Sequence, residues 1–563
     1  MQVMWNRLIS VVEEQAQALL RTAFGSVVRE AGDLSAGVYD LRGRMLAQAV
    51  TGTPGHVNTM AVAVGHFLER FPIDTMREGD VYVTNDPWMG TGHLFDFVVV
   101  TPAFRAGRLV SLFASTCHLV DVGGLGFSAD ARSVYEEGIR VPHMKLYDRG
   151  TLNDVLMRVI ETNVRQPIEA KGDMMALVSC NNAGCTRFVA MMDEFGIDSI
   201  DPLAEHILEN SRRAMEEAVR KVPQGEYRAS MTLDGYEDEV RLELRMTVKD
   251  GAITLDYEGS SAASQFGINS PKCYSDAYSV FGLKCVVAPE VPNNAGSLSV
   301  IRVEAPEGSI VNPLDPSPVT ARHVVGQMLP DIVFGCLHQA MSGGVQAESS
   351  GSIWVLAMSG PAERDSAEAF TVMSVSVGGV GARPTKDGLD STAFPSGVGA
   401  IPVEVTESVA PVVFWRREFQ PDSGGAGRFR GGLGQIVEIE SRCNLPFQIS
   451  AATFDRLRNP ARGREKGEPG AAGQLKLAHG QDLVGKGVHE VPPGERLVIE
   501  LPGGGGFGDP RARSPDAVAA DVRNGIVSRE AARKAYGVAV NEDGALDEVE
   551  TAKLRGGPEQ YPI

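Results

Sequence analysis

Two runs rich in β-branched and aromatic residues, "FVVVTPAF" (97–104) and "LVSLFAST" (109–116), flank the polar turn Arg105-Ala106-Gly107-Arg108. Runs of that length and composition on either side of so short a polar turn read as an antiparallel hairpin. Centred near Ala106-Gly107, the hairpin sets opposite one another residues whose numbers sum to roughly 213. Asp96 then faces the neighbourhood of Cys117 and His118, with His93 just beyond it. A slip of one residue would turn His118 to the other face.

Two imidazoles and a carboxylate meeting at the open end of a hairpin suit a divalent first-row metal and leave positions for water or substrate. The same residues also fit a plainer role, in which His93 and Asp96 cap a strand start and His118 packs in the core. Asp121, in "HLVDVGG", is the natural fourth ligand or outer partner for an imidazole N–H. Glu136 and Glu137 are weaker candidates for that shell. His56, in "GTPGHVNTM", is a further ligand, a proton shuttle or a loop histidine. Trp88 and Phe127 flank the ligand loops and would wall a substrate pocket.

Around this hairpin the pattern alternates between helix and sheet. Ile9 to Val28 carry the three-and-four spacing of one buried helical face, with Gly32 as a stop. "DLSAGVYDLRGRMLAQA" reads as a hairpin about Arg42-Gly43, residues 151–221 as helices, and "EVRLELRMTVKDGAITLDYEG" as a hairpin turned at Lys249-Asp250-Gly251. Residues 319–345 read as helical, residues beyond 343 as short strands among glycines, and the end as two short helices started by Ser514-Pro515 and Ser528. At about 150 residues per domain, 563 residues allow three or four domains or one elaborated body. The expected class is α+β, a large body of antiparallel and mixed sheets with interspersed helices. Its segments are 1–150 with the hairpin, 151–222 helical, 223–345 a second α+β region, 346–512 glycine-rich β, and 513–563 short helices.

Composition narrows the function classes. A net charge of −19 argues against nucleic acid or an anionic membrane as partner. No apolar run approaches the roughly 20 residues needed to cross a bilayer, and acidic residues interrupt the N-terminus before any signal pattern forms. Seven scattered cysteines make no disulfide framework, which places the chain in a reducing cytoplasm. Cys180 and Cys185 lack a second pair at zinc spacing.

The glycine motifs leave two readings open. "DSGGAGRFRGGLG" (422–434) could cradle a phosphate with Arg428 and Arg430, or form tight turns with positive φ between strands. In "PGGGGFGDP" (502–510) the match at Gly503, Gly505 and Gly508 has no βαβ context and Pro510 blocks helix continuation, so it reads as a backbone-packing or active-site loop rather than a nucleotide site. There is no Gly-x4-Gly-Lys-Ser/Thr loop, no His-Glu-x-x-His and no Gly-x-Ser-x-Gly elbow.

"TNDPWMGTGHLFDFVVVTPAF", "STCHLVDVGG", "YEEGIRVPHMKL", "DSGGAGRFRGGLG" and "LPGGGGFGDP", in that order, resemble the hydantoinase B/oxoprolinase family over essentially the whole chain. The family includes B-type subunits of ATP-dependent hydantoinases and lactamases, the C-terminal part of 5-oxoprolinases, and large subunits of acetone and acetophenone carboxylases. In its acetone carboxylase branch, manganese is held by a His-x-x-Asp pair and a later histidine, which implies His93, Asp96 and His118 as ligands here. The chain departs from the usual "GGTH" with Gly90-Thr91-Gly92-His93, from "HLPD" with "HLFD", and from a second histidine with Leu119. The resemblance implies a divalent metal (Mn, Zn or Fe) on this chain and ATP with Mg on a separate hydantoinase A-type subunit, in a hetero-oligomer. It implies ATP-dependent opening of a cyclic amide such as a hydantoin, lactam or 5-oxoproline, with Asp121 or His56 as base or orienter. The alternatives are carboxylation of a ketone and, less favoured, a non-catalytic scaffold.

Overall fold

The computed structural model describes residues 1–563 apart from 51–52, 342, 352, 364–368 and 557–563. Gly52 of the "GTPGHVNTM" stretch, residue 342 of the 319–345 segment and the tail of the last segment therefore lie outside the described residues.

The first sheet is built from β1 (Leu34–Tyr39), β2 (Met45–Gln48), β3 (Val81–Thr84), β4 (Asp96–Arg105), β5 (Arg108–His118), β6 (Met144–Asp148) and β7 (Thr151–Leu152). Its seven strands run in the order β2-β1-β5-β4-β3-β6-β7, with β4 and β5 at the centre. Both faces of that centre are covered, which is why its sequence reads as a nearly unbroken apolar run. On one face lies the helix Pro167–Phe195, backed by Gln2–Thr22. On the other, Met60, Val64 and Phe67 of the helix Pro54–Arg70 pack with Val98, Val100, Leu112 and Ala114.

The turn between β4 and β5 has positive φ at both Ala106 and Gly107, as a two-residue turn matched to strand twist requires. Arg105 pairs with Arg108 and Phe104 with Leu109, a sum of 213, but a bulge follows. From Ala103–Ser111 onward the sum is 214, so Asp96 lies directly opposite His118. The extra residue, Val110, decides that the two side chains share a face.

The second sheet comprises β8 (Gly225–Leu233), β9 (Val240–Lys249), β10 (Ala252–Asp256) and β11 (Ile301–Glu304), in the order β11-β10-β9-β8. The C-terminal half adds β12 (Trp354–Pro361), β13 (Ala369–Ser376), β14 (Val412–Phe419), β15 (Gln435–Ser441), β16 (Phe447–Ala451), β17 (Gln474–Leu477), β18 (Gly487–Val491) and β19 (Arg496–Glu500). These form two four-stranded sheets, β13-β12-β16-β18 and β14-β15-β19-β17. The architecture is α+β. One apolar cluster runs from Ala16 to Ala452, so four of the five expected segments share it.

Three local readings change. The first helix ends at Thr22 and a short turn of helix, Ser26–Arg29, follows. The break is held by Asp173, whose carboxylate accepts from the N–H groups of Phe24 and Gly25, and Phe24 turns outward at 54% exposure. His56 sits in the first turn of the helix Pro54–Arg70, capped by Thr53, and is not a loop histidine. Three helices close the described chain, because Glu548–Gly556 follows Pro515–Arg523 and Arg529–Lys534.

The 422–434 motif follows neither reading offered by the sequence, whereas 502–510 is the backbone-packing loop expected of it. Of the glycines in 422–434 and 502–510, only Gly508 has positive φ. The others lie where neighbouring backbones nearly touch: a Cβ on Gly504 would meet Val380 O at 2.2 Å, and one on Gly431 would meet Gly504 O at 1.9 Å. Their N–H groups are taken by other backbone segments, Gly425 by Gly504, Gly504 by Gly432, Gly432 by Val380 and Gly505 by Glu348. These N–H groups are therefore not free to cradle a phosphate, and Arg430 is engaged by Asp390. Glycine is required here for space.

Candidate metal centre

Asp96, at the start of β4, is fully buried on the face covered by the helix Pro54–Arg70. Its Oδ2 accepts three hydrogen bonds, from His56 Nε2 at 2.9 Å, Thr91 Oγ1 at 2.8 Å and Arg322 Nη2 at 2.7 Å. Those bonds fix the carboxylate so that Oδ1 points to His93 Nε2 at 2.9 Å and His118 Nδ1 at 3.7 Å. Among the described residues none of these three atoms has a hydrogen-bond partner, and all lie within 4.8 Å of one another.

The protonation of His93 makes this grouping informative. Its Nδ1 lies 3.0 Å from the carbonyl oxygen of Thr320, which can only accept, so Nδ1 carries the proton. Burial, reinforced by the Arg322 cation, pushes the His93 pKa down to about 4, and burial takes His118 down to about 3. His93 Nε2 is therefore a lone pair 2.9 Å from a carboxylate oxygen. Two buried acceptors in contact repel unless a cation lies between them. The donor set fits a divalent metal, which His93, Asp96 and His118 would hold.

The surroundings hold this set in place. Arg322 is buried, donates Nε to Thr91 O at 3.0 Å, and stacks 4.1 Å above the Tyr274 ring. Gly92 has φ of +103°, and a Cβ there would come within 2.7 Å of the Arg322 side chain, so Gly92 lets the arginine in. Burial opposes ionisation of Asp96, yet His56 and the Arg322 cation outweigh it and hold the carboxyl well below its usual range. The same balance holds at His56 with the opposite sign of shift: burial opposes its charge, but Asp96 and Asp33 raise its pKa, with Asp33 Oδ1 3.3 Å from Nδ1. Phe95, the residue that departs from "HLPD", sets its ring 5.1 Å from that of His118.

The structure sorts the remaining sequence candidates. Glu137 is buried and accepts from the N–H groups of Val319 and Thr320 at 2.5 and 2.7 Å, so it positions the carbonyl that orients His93. Glu136 is elsewhere, accepting from Arg132 N–H. Asp121 is not brought to the cluster: its oxygens accept from Gly123 N–H, Arg165 N–H and the Arg165 guanidinium. Trp88 donates to Pro313 O away from the centre, whereas Phe127 packs 5.9 Å from His118 and 5.7 Å from His323. Sequence reasoning misses Arg322 and His323. An Arg-His pair inside the apolar "VTARHVVGQML" is their one trace in the sequence.

A family model described as hydantoinase B/oxoprolinase matches residues 1–510. The chain belongs to that family. It is 29% identical to a protein of Pseudomonas sp. (strain NS671) named as the B-type component of a D-/L-hydantoinase, over 98% of this chain and 97% of that protein. Its fold matches the crystal structure of the ATP-dependent caprolactamase from Pseudomonas jessenii, with a TM-score of 0.89 at 27% identity over 98% of each chain. A nucleotide-free acetone carboxylase shares the fold at a TM-score of 0.84 and 21% identity, covering 99% of this chain and 82% of the other. No helix among the described residues is long and apolar enough to cross a membrane.

Proposed function

We propose that this chain is the metal-holding subunit of an ATP-dependent hydrolase of cyclic amides, working with a separate ATP-binding A-type subunit that carries ATP and Mg. The observation that carries the reading is the buried trio of lone-pair donors on His93, Asp96 and His118, in a chain whose relatives include a hydantoinase subunit and a caprolactamase. A divalent ion held there would polarise a carbonyl oxygen and lower the pKa of a bound water. The chain's own residues prepare for that chemistry. Thr320 fixes the His93 tautomer, and His56, Thr91 and Arg322 occupy Asp96 Oδ2 so that Oδ1 alone faces the cluster. His56 holds a proton at Nε2 toward Asp96, which makes it an orienting group. Phe95, Phe127 and Tyr274 exclude bulk water and strengthen these interactions.

The test is the reconstituted complex with ATP, given hydantoins and lactams and, separately, ketones with bicarbonate. Ring-opened acid formed with ADP is the expected result, and His118→Ala should lose both metal and turnover. Turnover of ketone with bicarbonate and of no cyclic amide would replace this reading with carboxylation.

A further inference from the structure

Resting on that reading, we infer that the cyclic amide is an uncharged ring, received in a cavity that shares the Phe127 side chain with the metal centre. The cavity has a volume of about 220 Å³ and lies between the loop that follows His118 and the sheet β13-β12-β16-β18. It is smaller than the roughly 300 Å³ at which sites for drug-sized ligands begin, which suits a single small ring.

Register explains the space. Met373, Ala357 and Ser450 form one cross-strand row, and Thr371, Ser359 and Gln448 form the next. All six line the cavity, and four of them have small side chains, so the sheet falls back from the loop opposite. Met358, Val372 and Ile449, between those rows, belong to a separate apolar cluster, and Met358 and Ile449 also border the cavity.

Phe127 belongs to both compartments. It lines the cavity, and its ring centroid lies 6.5 Å from that of His93, 5.9 Å from His118 and 5.7 Å from His323. It stands beside Gly123, Gly124 and Gly126, all with positive φ.

Charge sets the substrate class. The charged residues lining the cavity are Asp121 and Arg165, and they neutralise each other through a 2.6 Å contact. A carboxylate on the ring would find the one cation of the lining, Arg165, already held by Asp121, whereas a neutral ring needs none. The preference is therefore for an unsubstituted or apolar lactam or hydantoin over 5-oxoproline.

The experiment uses the complex with its ATP-binding partner and the matched pair 2-pyrrolidinone and 5-oxoproline, which differ by one carboxylate. We expect kcat/KM to favour 2-pyrrolidinone by at least about tenfold, and Asp121→Asn, which frees Arg165, to narrow that ratio. Ser359→Trp should fill the cavity and abolish 2-pyrrolidinone binding measured by calorimetry, with metal content unchanged. Phe127→Ala, assayed well below its own lowered melting temperature, should speed removal of the metal by EDTA at least about tenfold, because apolar packing beside the centre is gone. A preference for 5-oxoproline, undiminished binding in Ser359→Trp, or an unchanged EDTA rate would each overturn the inference. Binding of 2-pyrrolidinone without any ring opening would instead leave the cavity assignment standing and defeat the proposed reaction.

Discussion

The hairpin that carries the metal ligands and the glycine-rich core of the C-terminal half make opposite demands on a backbone. In β4 and β5 the chain pairs with regular strands on both sides, and function depends on which face each side chain takes. One bulged residue, Val110, sets that choice for His118. At the glycines of the segments 378–382, 424–434 and 502–506 neighbouring backbone leaves no room for a Cβ, and N–H groups bond to several different neighbouring segments. The first region tolerates change in what its side chains are but not in register. The second tolerates almost no side chain at its glycines.

The most severe test of that contrast is Gly504→Ala. Its Cβ would lie 2.2 Å from a backbone oxygen that cannot retreat, so we expect a loss above about 4 kcal/mol, read as failure to obtain folded protein or a collapsed melting temperature. Deleting Val110 comes next. Without the bulge Asp96 would face Cys117 and His118 would turn away, so metal content by elemental analysis should fall below roughly a tenth of wild type while far-UV circular dichroism persists. Glu137→Ala leaves the ligands in place but frees the Thr320 carbonyl, and metal affinity should drop about 10- to 100-fold in a competition titration.

A pH series sharpens the comparison away from the centre. Asp331 packs beneath the glycine core against Arg456, and burial pushes its carboxyl up to about 7, Arg456 opposing and Glu348 reinforcing. The folded state holds that proton more tightly than the unfolded chain, so stability is lost as pH rises from about 4 through 7. Asp331→Asn should remove that loss and gain more than about 1 kcal/mol relative to wild type between pH 5.5 and 8, measured by denaturant melts. The smallest effect is expected at Gly65, inside the helix Pro54–Arg70, where a Cβ would meet nothing within 4 Å. Gly65→Ala should stabilise by up to about 1 kcal/mol, the opposite sign to Gly504→Ala.

Legibility follows the range of the contacts. The β4–β5 hairpin, its turn and the hairpin at Lys249-Asp250-Gly251 are readable because turn chemistry and strand composition are local. The bulge is not, since nothing in "RLVSLF" marks Val110 as the residue to leave unpaired. Reading Asp121 as a ligand or base rests on closeness in sequence to His118, and the loop after β5 turns it to Arg165 instead. The glycines are visible as a composition, but φ and steric clearance are different reasons for glycine, and only neighbouring chain segments tell them apart.

By itself, the sequence determined the α+β class, the convergence of His93, Asp96 and His118 toward one end of a hairpin, and the likeness to the hydantoinase B/oxoprolinase family. Tertiary structure decided what makes those residues a centre. Thr320 orients His93 from 227 positions away, and Arg322 reaches Asp96 across 226. Groups so far apart along the chain meet only because the sheets and helices bury them together. Burial is also what strips the histidines of their protons and leaves their lone pairs facing a carboxylate.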